Sequence, residues 1–431
     1  MFLLFYIFYN LLFPLVFLLY LPFYLVHIIR RGGLTKEYWQ RFGFWGADVK
    51  AELAGKKRKV WIHAVSVGES VAAISFIKAW QARHPEDWIV FSCSTATAFS
   101  TIRRKNLAGV TVRYCPVDFG WAVHHALSVV SPHTLVIFEV EIWPNLIRQA
   151  AGRGIRVCLV NGRLSDKSSR GYARWRGIFR PIFDSFSVLC MQTPEDACRV
   201  RRIMGDSPKI KICDTMKFDQ VPDVGAGDVS KVLDDVFGAG ERLVLVAGST
   251  HPGEEELICN AVRDLKPEYP RLKLVLVPRH CERAAEVENV LKAAGLTWKR
   301  LKDGDADGGE RDALLVNTTG ELMNYYGAAD VAYVGKSMAG QTGGHNIIEP
   351  AIFGKAIIHG SHMENFRAVS AIFQEEKAAL LVEKDEDFTS ALKGLLADSA
   401  RRSEMGARAR GTVEKYRGAI ARTLDAIDGC R

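Results

Sequence analysis

Three segments in the first half of the chain combine residue types that could carry out a group transfer. The first, His63-Ala64-Val65-Ser66-Val67-Gly68-Glu69, ends an apolar run in a tight turn permitted by Gly68 and then offers a carboxylate at a helix start. Such a carboxylate can take the proton of an attacking hydroxyl as a general base. A helix N-terminus favours the charged form and so makes a weak base, which suffices where the transition state resembles an oxocarbenium ion and the proton leaves late. The same residues also read as a carboxylate that only satisfies backbone N–H groups. The second segment, Glu139-Val140-Glu141-Ile142-Trp143-Pro144-Asn145, sets two carboxylates two residues apart, to orient a base or hold a sugar; Trp143-Pro144 equally reads as a hydrophobic staple for the next helix. The third, Asn161-Gly162-Arg163-Leu164-Ser165, leads into a stretch with Arg170, Tyr172, Arg174, Trp175, Arg176, Phe179 and Arg180. Guanidinium forks suit phosphate, so a phosphorylated lipid headgroup, a nucleic acid and a plain solvated helix face all fit.

The second half repeats the pattern. Gly248-Ser249-Thr250-His251 precedes Glu254, Glu255 and Glu256; Pro278-Arg279-His280 and Gly320-Glu321-Leu322-Met323 follow apolar runs; Gly340-Gln341-Thr342-Gly343-Gly344-His345-Asn346 leads into a helix expected over 347–353. Glycine-rich backbone ahead of a helix start can bind phosphate.

The elements that must position these groups alternate. Apolar runs at 60–64, 88–92, 110–114, 135–138 and 156–160 read as strands with helices between them, and a second set falls at 243–247, 272–277, 314–316, 331–334 and 356–359. This is an α/β chain with two parallel-sheet halves. Such halves bind ligand at the carboxyl ends of the strands, in the cleft between them. An Asp-, Gly- and Val-rich stretch at 221–240 links the halves. The boundaries expected are 1–28 for an anchor, 34–222 and 223–405 for the two domains, and 406–431 for a C-terminal helix. One amphipathic helix over 399–430 is expected to cross back and brace the first half.

Residues 1–26 carry no charge, and Arg30 and Arg31 follow. That length can span a bilayer, and the basic residues favour placing the body of the protein in the cytoplasm. Pro14, Pro22 and the many aromatics keep an arrangement within one leaflet open. Tyr38, Trp39, Phe42, Phe44 and Trp45 among Lys36 and Arg41 suit either the headgroup layer or a helix packed on the first domain. The 431-residue chain has a net charge of +8, which suits a membrane surface or a phosphorylated substrate without selecting one. Nine cysteines without a C-x-x-C pair read as buried thiols in a reducing compartment. Asp303, Asp305, Asp307 and Gly308 imitate a calcium loop, but its twelfth position is Leu314, so no metal site is expected.

Taken in order, Trp61-Ile62-His63 with Ser66 and Gly68-Glu69, Glu141 to Asn145, Asn161 to Ser165, Met191-Gln192-Thr193, Lys217-Phe218-Asp219, Gly248 to His251, Pro278-Arg279-His280, and Gly344-His345-Asn346 with Glu349-Pro350 resemble the 3-deoxy-D-manno-octulosonic acid (Kdo) transferases of lipopolysaccharide assembly. The resemblance runs from about 34 to about 422. It departs at Gly205-Asp206 and at Asp214-Thr215-Met216-Lys217, where a Gly-Asn-x-Lys-like run is expected. It implies a GT-B fold of two Rossmann-like domains facing a cleft, CMP-Kdo as donor, a phosphorylated lipid A precursor (lipid IVA) as acceptor, inversion, no metal or other cofactor, and an inner-membrane location facing the cytoplasm. It implies Glu69 as the base, with Glu141 supporting it and Glu139 as the substitute. Ser249, Thr250, Arg279, His280 and Met323 would surround the nucleotide, Gly344, His345 and Asn346 its phosphate, and Glu349 the ribose. Ser66, Gly68, Arg163, Arg174 and Arg176 would meet the acceptor, and Arg163 or Arg279 the donor carboxylate. The competing readings are a GT-B enzyme using a UDP-sugar, a membrane-bound nucleotide or lipid binder without turnover, and a nucleic-acid binder, against which the anchor argues.

Overall fold

Parallel strands buried on both faces read as nearly continuous apolar runs; TLVIF at Thr134–Phe138 and LKLVLVP at Leu272–Pro278 are buried at every position, with the Lys273 ammonium satisfied by the Arg311 carbonyl at 3.0 Å. A computed structural model describes residues 2–30, 36–220, 227–302 and 310–430. Arg31, the 221–226 part of the expected linker and the aspartates at 303, 305 and 307 with Gly308 lie outside the described residues.

The chain forms two compact units, one of Met1–Gln220 with Gly418–Arg431, the other of Val221–Arg417. The first contains β1 (Lys59–His63), β2 (Trp88–Cys93), β3 (Val110–Tyr114), β4 (Thr134–Phe138), β5 (Arg156–Gly162), β6 (Val188–Met191) and β7 (Ile210–Ile212). They pair in parallel in the order β3-β2-β1-β4-β5-β6-β7. Side chains alternate between the faces, so Leu135 and Ile137 join one core cluster while Val136 and Phe138 join another. The second unit contains β8 (Leu243–Thr250), β9 (Leu272–Pro278), β10 (Trp298–Arg300), β11 (Ala313–Leu315), β12 (Val331–Val334), β13 (Ala356–Gly360) and β14 (Leu380–Val382), in the order β10-β11-β9-β8-β12-β13-β14. Strand order reverses between β1 and β4 in one unit and between β8 and β12 in the other. A crevice opens at such a switch point beyond the carboxyl ends of the strands.

The single helix expected over 399–430 is two, Ser399–Tyr416 and Ala419–Asp428. The break falls at Gly418, whose φ of +89° a helix cannot accommodate, so the returning segment starts there and not at 406. Asp219 fixes the return: its two carboxylate oxygens accept the N–H groups of Gly418 and Ile420, each at 2.7 Å. Arg422 pairs with Asp214 at 2.8 Å, and Ile420, Leu424 and Ile427 enter the core of the first unit.

The N-terminal apolar segment is one helix, Phe2–Arg30, with Pro14 and Pro22 inside it, long and apolar enough to cross a membrane. Tyr38 and Trp45 are buried while Trp39 and Phe44 stay exposed, so the aromatic stretch after the helix both packs on the domain and faces outward.

Candidate active site

Parallel pairing of β1 with β4, His63 opposite Ile137, brings the turn after β1 beside the loop after β4. Ser66 caps the Val67–Arg83 helix through a reciprocal box: its hydroxyl accepts the Glu69 N–H at 3.3 Å and donates to Glu69 Oε1 at 2.6 Å. The Val65 and Ser66 N–H groups also donate to the Glu69 carboxylate, at 2.9 and 3.3 Å. Glu69 is thereby fixed at the switch point. Gly68 differs from expectation. It lies in the first helical turn, and an added Cβ would meet only Ser66 Oγ, at 4.0 Å. The turn does not need a glycine there, and its lack of a side chain leaves open space beside Glu69. His63, fully buried with Nδ1 on Ser92, is held neutral because burial lowers it to about 4.

Glu139 adopts a left-handed backbone, φ +54°, a conformation that costs a non-glycine residue about 1 kcal/mol or more. Burial first, then the charge of Glu69, pushes Glu139 up to about 7, against the pull of Lys217 and Arg163. Glu141 rises to about 7 through burial and then repulsion by Glu69 and Glu139. The Trp143 indole opposes that rise from outside ordinary hydrogen-bond geometry. Three carboxylates and two cations thus form one electrostatic cluster. Burial also lowers Lys217 to about 8, with Glu139 opposing and Arg163 reinforcing. Lys217 sits on the short turn Met216–Asp219, positioned by Asn161, whose Oδ1 accepts the Met216 N–H at 3.1 Å. Asn161 is itself left-handed, φ +51°. Arg174 and Arg176 stand apart from this cluster, exposed at the junction of the helices Asp166–Arg174 and Arg176–Asp184.

In the second unit the groups after β8, β9 and β12 converge. Ser249 is left-handed, φ +55°; Thr250 is fully buried and its Oγ1 has no hydrogen-bond partner among the described residues. His251 Nε2 faces His345 Nε2 at 3.1 Å. Both imidazoles are lowered to about 4, His251 by burial and then Lys336, His280, Arg283 and Arg279, His345 by burial and then His251, Arg279, Lys336 and His280. These cations and rings therefore share one positive field. Glu349, raised by burial, takes a hydrogen bond from Asn346 at 3.3 Å and senses Arg279. Met323 lies on the Leu322–Ala328 helix, which packs on β8.

The phosphate loop also differs from expectation. The helix after it is only Ile348–Ala351, too short to carry a useful dipole, and the Gly344 N–H is already given to the Lys336 carbonyl at 2.8 Å. Gly344 is there for conformation: φ is +66°, and a Cβ would strike Met363. The nest of backbone N–H groups after β12 is filled from within. Glu254 accepts from Lys336, Ser337 and Met338 N–H at 2.8, 2.9 and 3.2 Å, from His251 N–H at 3.0 Å and from the Tyr333 hydroxyl at 2.6 Å. Sequence reasoning gave no role to Lys217, Glu254, His251 or Lys336. Lys217 and His251 carried a signal as members of the motif blocks, and Glu254 as one of three acidic residues at a helix start; Lys336 carried none.

Residues 36–220 match the 3-deoxy-D-manno-octulosonic-acid transferase (kdotransferase) family. A 3-deoxy-D-manno-octulosonic acid transferase of Bordetella pertussis is 33% identical over 401 residues, covering 90% of each chain. Its counterpart in Haemophilus influenzae is 30% identical over 391 residues, again 90% of each. The chain belongs to the Kdo transferase family. Its activity is transfer of Kdo, a glycosyltransferase reaction. Two crystal structures share the fold at low identity: a glycosyltransferase from Rickettsia africae, with TM-score 0.57, 10% identity and coverage of 87% of this chain and 98% of that one, and a UDP-GlcNAc 2-epimerase from Neisseria meningitidis, with TM-score 0.55, 12% identity and coverage of 85% and 99%. The Kdo transferase is thus an α/β protein of GT-B type, with an acidic cluster at the switch point of its first sheet and a cationic one at that of its second.

Proposed function

We propose that this Kdo transferase takes Kdo from CMP-Kdo and places it on a phosphorylated lipid A precursor, lipid IVA, with inversion at the anomeric carbon and without a metal ion, on the cytoplasmic face of the inner membrane. A hydroxyl oxygen of the acceptor glucosamine attacks the anomeric carbon from the face opposite CMP. The bond from that carbon to the phosphate oxygen breaks, and Glu69 receives the hydroxyl proton. The observation that carries this reading is the carboxylate cluster. Glu69 has both oxygens oriented by three donors, whereas its neighbours Glu139 and Glu141 titrate near 7 and hold a proton for part of the time at neutral pH. Roles thus divide among like groups by environment. Glu141 supports the base. Arg163 and Lys217 meet an acidic group of the donor or acceptor, and Ser66, Gly68, Arg174 and Arg176 belong to the acceptor side.

The departing CMP carries its negative charge on phosphate. Arg279, Lys336, His251 and His345 supply a positive field for it. Ser249, Thr250, His280 and Met323 surround the nucleotide, His345 and Asn346 its phosphate, and Glu349 the ribose hydroxyls, with Gly344 holding the loop.

Transfer of radiolabelled Kdo from CMP-Kdo to tetraacylated lipid A precursor tests the reading. Wild type should label the lipid, and Glu69→Ala should lose at least ~100-fold in rate with CMP binding retained. Equal product from both proteins would remove Glu69 as the base. Absence of product from folded, CMP-binding wild type would point to another sugar or acceptor.

A further inference from the structure

The Phe2–Arg30 helix is apolar all round, yet its two sides differ in kind. Phe2, Tyr6, Tyr9, Asn10, Phe13 and Phe17 recur at helical spacing on one face, and that face is docked on the first unit. Tyr9 donates its hydroxyl to Asp118 Oδ2 at 2.9 Å, and Asn145 Nδ2 donates to Asn10 Oδ1 at 2.9 Å. The Arg148 guanidinium lies over the rings of Phe2 and Tyr6 at 4.5 and 4.8 Å, and Phe13 and Phe17 pack on Phe119 at 5.5 and 5.2 Å. The opposite face is aliphatic and open: Leu4, Leu11 and Leu19 are exposed by 72%, 71% and 71%. Exposed aromatics stand beside the docked face, next to the residues it packs on. Trp121 stacks beside Phe119, Phe44 meets Trp121, Trp39 meets Phe42, and Trp175 begins the Arg176–Asp184 helix that packs against the apolar one. Arg174 and Arg176 flank Trp175 and are exposed.

The docked stretch from Phe2 to Phe17 is about 22 Å long at 1.5 Å per residue, most of a hydrocarbon core of roughly 30 Å. A helix crossing the bilayer would drag Asp118, Asn145, Arg148 and the arginines of the neighbouring helix into hydrocarbon, where charged groups are strongly disfavoured. We propose instead that the helix lies in the plane of one leaflet, clamped to the first unit, with Leu4, Leu11 and Leu19 in the acyl layer and the tryptophans and arginines among anionic headgroups. The clamp reaches the chemistry. Asp118 also accepts the N–H groups of Asn145 and Leu146, both at 2.9 Å, at the start of the Pro144–Gly152 helix, three residues beyond Glu141. The helix therefore also positions the Glu139–Glu141 loop at the lipid surface, a consequence that rests on the proposed function, whereas the topology does not.

The full-length protein in inner-membrane vesicles tests both. A tag ahead of Met1 should be cut by protease in inverted vesicles and protected in right-side-out spheroplasts, like the first unit itself. A photoreactive residue at Leu4, Leu11 or Leu19 should cross-link to lipid at all three sites. A tag cut only from the outer side would establish a spanning helix and overturn the proposal. Cross-linking to a second copy would make the face a subunit contact and overturn it as well. Tyr9→Phe combined with Asn10→Ala should stay membrane-bound and bind CMP as wild type, while kcat/KM for the lipid acceptor falls about tenfold, as expected for two lost hydrogen bonds. Unchanged kcat/KM with the tag on the cytoplasmic side would sink the positioning role alone.

Discussion

Replacing Glu139 by glutamine should make the protein more stable at pH 8. Glu139 rises from the ordinary 4.5 to about 7. A carboxyl whose folded pKa exceeds its unfolded value binds more protons in the folded state between those two values, so stability falls as pH climbs from 4.5 to 7 and stays reduced above. The difference of about 2.5 in pKa corresponds to roughly 3 kcal/mol. Lys217 loses an attractive neighbour in the variant, and part of the repulsion is shared with Glu69 and Glu141, so the net gain expected is about 1–3 kcal/mol. For a unit of this size that is an increase in Tm of roughly 2–10 °C. The assay is thermal unfolding of wild type and Glu139→Gln at pH 5, 6, 7 and 8 in one detergent, with the transition of the first unit assigned separately. The gain should be near zero at pH 5 and largest at pH 8. A gain that is the same at every pH, or one confined to pH 5, would refute the burial argument.

Glu254→Gln keeps one acceptor oxygen and turns an amide N–H₂ toward the two or three donors that the other oxygen held. It should destabilise the second unit by about 2 kcal/mol or more and weaken CMP binding at least tenfold by calorimetry, with the first-unit transition unmoved. Asp219→Ala removes both acceptors at the start of the Ala419–Asp428 helix and should cost the first unit about 0.5–2 kcal/mol, read as a lower Tm with CMP affinity intact. Gly344→Ala meets both the left-handed backbone and Met363 and should cost at least ~1–2 kcal/mol, with weaker CMP binding as the direct readout.

Ten of the fourteen strands among the described residues were legible as apolar runs. The four that were not are Val188–Met191 and the edge strands Ile210–Ile212, Trp298–Arg300 and Leu380–Val382. Length alone does not hide a strand, since Ala313–Leu315 and Val331–Val334 are as short; Ile210–Ile212 and Trp298–Arg300 carry charged residues (Lys211, Lys299 and Arg300) that break the apolar run. Polar clusters at strand ends announced themselves in Glu69, Glu141 and His345, because a parallel sheet puts its loops where ligands bind. Lys217 and Glu254 stood in sequence clusters, but their contacts were not legible. Their roles depend on left-handed turns at Asn161 and Lys336, which ordinary residues enter only when the surrounding fold compels them. The glycines misled in the opposite direction. Gly68 was expected to make a turn that needs no glycine, and Gly344 to offer an N–H that is already in use.

The return of the chain at Gly418 bears on how the protein is made. Asp219 receives the Gly418 and Ile420 N–H groups, and the core beneath it Ile420, Leu424 and Ile427, from residues synthesised after the whole second unit, roughly 200 residues later. At ~5–20 residues per second, a ribosome needs roughly 10–40 s to cover that distance. Through this interval the first unit has emerged with the Asp219 carboxylate lacking its Gly418 and Ile420 donors and the apolar seat for Ile420, Leu424 and Ile427 open to solvent. On the proposed topology, a nascent chain in this state can reach the membrane through its N-terminal helix before the first unit is finished. Ribosome stalling inside the second unit would leave a first unit whose Asp219 carboxylate and apolar seat are unfilled.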